Sequence, residues 1–460
     1  MAVIFLMLAV SSLGIWIKNE QYSRLFAWLN LLWLIYFLLS AFTLRHTAHH
    51  KYCMAILFLL ALTPRLALAL LQPYTPTNDF MCYWEMGEAL LQGDPSVTAH
   101  YVNHFLILEY AGLGVVSAAM QLISGGTMMG FQILLTLITS INTVLIYQIG
   151  KSFHSHVGII AAFIYALYPS NIVMTQVFTN QHMATMLALL SLLVYLKGFQ
   201  SRTICRAGLH GGAAGVLLLC SQYAHPSSLV TRIAFAVFAI LLCIELSSNR
   251  KRVAITLCVL IACLLLYSFG LYMTDKILLY YSLRDTGAVQ YRITTYLLVG
   301  LNHETDGLLD ETAKYYYMIM TPQQALAEIW RRIRNPIKLF GLFVRKASRM
   351  WGSMDTSFYF YTDYINNTPF QHMIASALGA LDGLYTTAAY LLTAAGLFFA
   401  RDKIRPLALP LIILTGWLSI YLFTEIQPRY RYYGMMFVTI FAAVGVYTLW
   451  QRYRMKKQIP

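Results

Sequence analysis

Charge is scarce in this chain. Only 11% of its 460 residues are Asp, Glu, Lys or Arg, less than half of the roughly 25% found in soluble domains. So few charges cannot cover a water-facing surface of this size, which excludes soluble enzymes, coiled coils and disordered chains. Ligand-type cysteine spacing is absent as well: there are seven cysteines, with no CxxC and no Cys/His spacing that would hold a metal. Cys53, Cys205, Cys220, Cys243, Cys258 and Cys263 lie in or at the ends of apolar segments, and Cys82 alone sits in a polar loop. Disulfides and structural zinc are therefore not expected. Residues 1–17 are apolar but lack a preceding basic stretch and a following small-residue cleavage site, so they read as a retained helix and not a signal peptide.

What the chain has instead is apolar residues, 58% of the total. It reads as an all-α polytopic membrane protein. Stretches that approach the length of about 20 apolar residues needed to span a bilayer are 2–17, 25–44, 53–72, 105–123, 129–150, 156–174, 182–199, 205–223, 228–246, 253–273, 380–400, 405–424 and 432–450. The net charge is +14, and basic residues gather in loops beside these stretches. That is the pattern of cytoplasmic loops and anionic head groups, and not of nucleic-acid binding. Clusters at Arg45–Lys51, Lys197–Arg206, Arg250–Arg252, Arg401–Arg405 and Arg452–Lys457 are assigned inside, and the acidic stretch 73–104 outside. Parity then requires that one segment between 73–104 and Lys197 does not cross. The segment 105–123, with Glu109, Gln121 and several glycines, reads as an interfacial or re-entrant helix. About twelve transmembrane helices remain, with both termini cytoplasmic.

This topology divides the chain into four parts. Residues 1–52 supply two N-terminal spans. Residues 53–273 form a core with a first external loop at 73–128. An external loop at 274–379 follows, in which 337–351 alternates apolar and basic residues as a helix lying on head groups would. Residues 380–460 complete the bundle and end in a basic tail.

Polar residues next to spans are the informative ones, because lipid penalises them. On this topology they gather on the outer face: Asp79, Gln181, His182, His225, Arg284, Arg292, Glu425, Gln427, Arg429 and Arg431. Asp79 is either a helix N-cap or a carboxylate that takes a proton from an incoming hydroxyl. Glu85 and Glu88 read as a solvated face. Arg429, with Tyr430, matches either a lipid phosphate or an aromatic–basic interface belt, and the neighbouring Glu425 and Gln427 favour a site. Arg65, inside the third span, either snorkels outward or meets a buried partner.

Four stretches carry a resemblance: Asp79 with Tyr83, Gly87 and Gly93; residues 164–198, IYALYPSNIVMTQVFTNQHMATMLALLSLLVYLKG; GLNHETDGLLDETAKYY at 300–316 followed by NPIKLFGLFVRKASRMW; and EIQPRYRYYGMMFVTIFAAVGV at 425–446. In their order and spacing the chain resembles the GT-C class of integral-membrane glycosyltransferases. Within it, the chain is similar to the family-39-like branch of protein O-mannosyltransferases and lipid A aminoarabinose transferases. The resemblance implies a polyprenyl-phosphate sugar donor used on the extracytoplasmic face, with the first-loop aspartate, Asp79, as general base. The arginine of the last external turn, Arg429, would bind donor phosphate, with Arg284, Arg292 and Tyr430 as further contacts. Arg65, Tyr83, Glu109, Gln181, His182, His225, Glu425 and Gln427 complete the candidate set. The acceptor would be a glycan, glycolipid or protein. No cofactor is obligatory, with a divalent metal as the open alternative because members of the class differ in metal use. The chain departs from the family where Gln181 replaces a frequent Glu and His225-Pro226 an Arg-Pro pair. A lipid or glycolipid transporter and a polysaccharide polymerase or ligase are the alternative readings.

Overall fold

The computed structural model describes residues 1–18, 52–71, 76–77, 79–105, 109–225, 228–281, 293–310, 317, 319–352, 357–358 and 369–457. Among these residues every regular element is helical. The expected spans appear as α1 (Ala2–Lys18), α2 (Cys53–Leu71), α6 (Met128–Lys151), α9 (Gln181–Phe199), α10 (Ile204–Ala224), α11 (Ser228–Glu245), α12 (Arg250–Tyr280), α16 (Pro369–Phe399), α17 (Ala408–Phe423) and α18 (Tyr432–Lys457). Between them lie α3 (Asp79–Leu91), α4 (Ser96–Phe105), α5 (Glu109–Ile123), α7 (Ser155–Ala166), α8 (Pro169–Met174), α13 (Ile293–Gly300), α14 (Pro322–Ile333) and α15 (Pro336–Ala347). A π-helical turn, Ser348–Gly352, extends α15.

Eight helices among the described residues are long and apolar enough to cross a membrane, and the chain is a polytopic membrane protein. The other four expected spans account for the difference from twelve. Residues 25–44 lie outside the described residues. The first span is α1, of 17 residues, which packs along α16 and is joined to it by the Phe5–Tyr390 ring contact at 5.8 Å. The span at 380–400 is part of α16, whose apolar run is interrupted by Asp382. The span at 156–174 is corrected: it is broken into α7 and α8 at Leu167 and Tyr168, because Pro169 cannot continue a helix and opens a new one.

Breaking a helix inside a bundle leaves carbonyls at one end and amides at the other without partners. Two buried charges meet them here. Arg65, from α2, donates Nη1 to the carbonyls of Ala61 and Ala166, both at 2.8 Å, and Nη2 to that of Tyr165 at 3.4 Å. It thus places a cation on the C-terminus of α7. Asp382, from α16, accepts the Ser170 amide at 3.0 Å and the Ser170 hydroxyl, an anion on the N-terminus of α8. Both signs suit the helix dipole. Arg65 is fully buried, so the snorkelling account is excluded.

Helix α18 is the axis of the bundle. Of its most apolar window 78% is buried, against 28% for α2 and for α12, and it contacts α7, α16 and α17. Helix α5 has 15 residues, about 22 Å at 1.5 Å each, too short for a hydrocarbon core of about 30 Å. It packs against α3 and α10.

Candidate functional site

The strand of chain that turns into α18 carries the site. After α17 it runs through Glu425, Ile426 and Gln427 into a 3-10 turn, Pro428–Arg431. Glu425 is buried and accepts from Gln427 Nε2 at 3.0 Å and Tyr430 Oη at 3.1 Å. Trp417 Nε1 donates to the Tyr430 carbonyl at 2.9 Å, and the Tyr430 ring stacks on Tyr421. The turn is therefore fixed from three sides.

Its two arginines part company. Arg431 points inward, fully buried, donating to the Trp351 carbonyl at 2.9 Å and facing Asp382 Oδ2 at 3.3 Å. Arg429 points to the opening, where its Nη2 stands 3.6 Å from Asp79 Oδ2. That side chain is only 11% exposed while the Asp79 side chain is 45% exposed. The Arg429 guanidinium also lies 5.5 Å from the centre of the Phe80 ring and 5.7 Å from that of Tyr430, within cation–π range. Arg429 is thus covered by protein on most sides and turned toward Asp79.

Asp79 opens α3. The helix is held in place by α5: Gln121 Nε2 donates to the Trp84 carbonyl at 2.8 Å. A side chain at Gly87 would come within 2.6 Å of Gln121 Nε2 and 2.9 Å of the Ala118 amide. Gly87 is thus required for this close approach, which sets where Asp79 points. Tyr83, one turn on, packs edge-on against Phe80 at 6.1 Å. Glu85 accepts from Tyr101 Oη at 2.5 Å, which is a structural role and raises the Tyr101 pKa.

Beside Arg429 opens a narrow cleft lined by Gln181, Ala184, Thr185, His225, Trp417, Tyr421, Tyr430, Tyr432 and Tyr433. Gln181, Ala184 and Thr185 belong to the first turns of α9, so the positive end of that helix borders the cleft. His225 follows α10 and pairs with Gln181 at 3.1 Å. Burial first, and then the Arg429 charge, push His225 down to about 4, so it is neutral at pH 7.

Of the expected site residues, Asp79, Arg429, Tyr430, Gln181 and His225 come together here, with Tyr83 on the Asp79 side. Glu425 and Gln427 stand behind them as braces of the turn. His182 is buried away from the opening, with Nε2 donating to the Met174 carbonyl at 2.9 Å and Nδ1 accepting from Tyr432 Oη at 2.8 Å. Arg65 is likewise a structural residue at the α7 end. Arg284 and Arg292, and the side chain of Glu109, lie outside the described residues.

Sequence reasoning missed two residues. Asp382 is one. Lys346 is the other: the basic residues of α15 were expected to face head groups, but Lys346 is buried. Its Nζ donates to the carbonyls of Gly300 at 2.6 Å, Leu422 at 2.9 Å and Thr424 at 2.7 Å. It therefore ties α15 to the C-termini of α13 and α17, next to the Glu425 turn. Burial pushes its ammonium down to about 7, with the Glu425 charge acting the other way. Asp306, at φ 54° in the turn before Gly307, binds Arg345 at 2.6 Å and Arg349 at 2.9 Å, and Ile426 donates to the Gly307 carbonyl at 2.9 Å. These contacts dock the segment from α13 to α15 onto the site. Replacing Lys346 by Met leaves three carbonyls without a donor, each worth about 1–3 kcal/mol when buried. Limited proteolysis of Lys346→Met is expected to cut between α13 and α15 faster than in wild type, and an unchanged cleavage rate would show that Lys346 does not hold the segment.

No group of three or more His, Cys, Asp or Glu side chains is placed to hold a metal ion among the described residues. No family model matches the sequence, and no curated protein matches it. Among solved structures the chain is similar to the archaeal oligosaccharyltransferase AglB from Archaeoglobus fulgidus, in complex with an inhibitory peptide and a dolichol-phosphate. That match has 11% identity and a TM-score of 0.47. It covers 89% of this chain and 51% of AglB, so the chain spans about half the length of that protein.

Proposed function

We propose that this protein is a GT-C-type membrane glycosyltransferase that moves a sugar from a polyprenyl-phosphate donor to a hydroxyl acceptor on the extracytoplasmic face. The observation that carries the proposal is the pairing of Asp79 with Arg429 at the mouth of the aromatic cleft. A carboxylate, a guanidinium and the positive end of α9 meet where a base and a phosphate site are both needed. The acceptor hydroxyl gives its proton to Asp79, and its oxygen attacks the anomeric carbon from the face opposite the phosphate. The bond from that carbon to the phosphate oxygen breaks, and the electron pair leaves with the polyprenyl phosphate. Arg429 and the α9 amide end stabilise that anion by charge-assisted hydrogen bonding. The configuration at the anomeric carbon inverts. Asp79 then returns its proton to water.

Arg429→Lys keeps the charge and loses the planar fork that matches phosphate. It is expected to weaken donor affinity about tenfold or more while the protein stays folded. Wild-type affinity and turnover in Arg429→Lys would remove Arg429 from the site.

The orientation is part of the proposal. In a background stripped of native cysteines, Glu304→Cys is expected to react with membrane-impermeant thiol reagents in intact cells, and Ser247→Cys to be shielded. Both positions are exposed in the fold. The reverse pattern would put the cleft on the cytoplasmic side.

The transporter reading draws on the broken helix and on the buried Asp382–Arg431 pair. Both are accounted for otherwise. Asp382 and Arg65 satisfy the two ends of the break, and Arg431 lies two residues from Arg429, at the cleft end of α18 and not at its middle.

A further inference from the structure

Gln181 is 8% exposed and borders the cleft. Its amide is oriented by one contact: Nε2 can only donate, so it gives a hydrogen bond to His225 Nε2, and the His225 proton sits on Nδ1. Oε1 therefore faces away from His225, and it has no hydrogen-bond partner among the described residues. Buried carbonyl oxygens nearly always have a donor, and one that does not calls for an explanation. The start of α9 does not depend on the side chain: the Gln181 backbone N–H donates to Thr179 Oγ1, and the side-chain Nε2 is used on His225, which leaves Oε1 to be accounted for. Arg429, which suits an anion, borders the same cleft as Gln181. The rings of Trp417, Tyr421 and Tyr430 border the same cleft and offer flat apolar faces. A cation for phosphate, flat apolar faces for C–H groups and an acceptor for an O–H donor together suit a sugar joined to phosphate.

We infer that Gln181, oriented by His225, accepts a hydrogen bond from one hydroxyl of the donor sugar and is a specificity-determining residue for which sugar is transferred. This rests on the reading of the cleft as the donor site. Arg429 holds the phosphate, and Gln181 reads the ring attached to it. A sugar without that hydroxyl leaves Oε1 buried and unmet, so it is selected against.

The test uses the full chain in detergent, with polyprenyl-phosphate hexoses, their monodeoxy analogues and bare polyprenyl phosphate as probes. For wild type, affinity for the sugar-bearing lipid relative to bare polyprenyl phosphate is expected to fall about 10- to 100-fold when one particular hydroxyl is removed. Gln181→Met is expected to lose the same factor on the parent sugar and to lose nothing further on that deoxy analogue. His225→Leu frees the amide to rotate and is expected to reproduce part of the loss. Equal discrimination by wild type and Gln181→Met across the analogues would overturn the inference while leaving the donor site intact. Failure of wild type to bind any of the lipids would instead overturn the donor site itself, and the inference with it.

Discussion

Asp79→Asn is expected to express, to fold and to bind donor like wild type, yet to transfer almost no sugar. The amide keeps the size and the helix-starting ability of the carboxylate, so a purely structural Asp79 would tolerate the change. An amide cannot take a proton at neutral pH. Loss of a positioned general base costs about 10²- to 10⁴-fold in rate. The side chain is partly exposed and faces the Arg429 guanidinium at 3.6 Å, which places it at the mouth of the cleft. Single-turnover transfer with bound donor separates this from a binding defect, since the loss is expected in the chemical step with donor affinity retained. Near-normal transfer by Asp79→Asn would refute the mechanism.

The second large effect is on stability. Asp382→Ala is expected to cost about 3–5 kcal/mol, because it leaves Arg431 buried without its counter-charge and removes the acceptor of the Ser170 amide. Asp382→Asn keeps an acceptor for Ser170 and loses only the charge, so it is expected to fall between wild type and Asp382→Ala. Thermal loss of the soluble folded species on size-exclusion chromatography orders the three. Equal stability of Asp382→Ala and wild type would mean that the pair and the cap contribute nothing, and the account of the broken helix would fail with it.

Much of this architecture was legible in the apolar runs, because a span has to be long and uninterrupted in lipid. The break was visible too, as Pro169 in the middle of the run from 156 to 174, but the run length outweighed it. Lys346 was legible in the helical period: it follows Leu342 by four residues, and Leu342 is fully buried. A lysine on the apolar stripe of α15 points inward with the stripe, and not to the head groups. Asp382 stood out as a lone acid in ALGALDGLYTTAAYLL, a signal that buried charges in spans generally carry.

The site was legible in part for a different reason. Asp79 and Arg429 are polar residues at span ends, and the resemblance named both. Their meeting depends on α3 lying against α5 through Gly87, and on the Glu425 turn. Both are tertiary facts, which one strand of sequence does not display. The pairing of Gln181 with His225, and the separate fates of Arg429 and Arg431, depend on side-chain direction at adjacent positions of a turn. Periodicity carries no information at that scale.

The central claim is that this chain consumes a polyprenyl-phosphate-linked sugar through Asp79. Mass spectrometry of lipid-linked sugars in cells from which the gene has been removed tests it most directly, with wild type or Asp79→Asn restored. The account predicts that one polyprenyl-phosphate sugar accumulates on deletion, disappears when wild type is restored, and remains high with Asp79→Asn expressed at the same level. A lipid-linked pool that does not change on deletion, or that Asp79→Asn clears as well as wild type does, would contradict it.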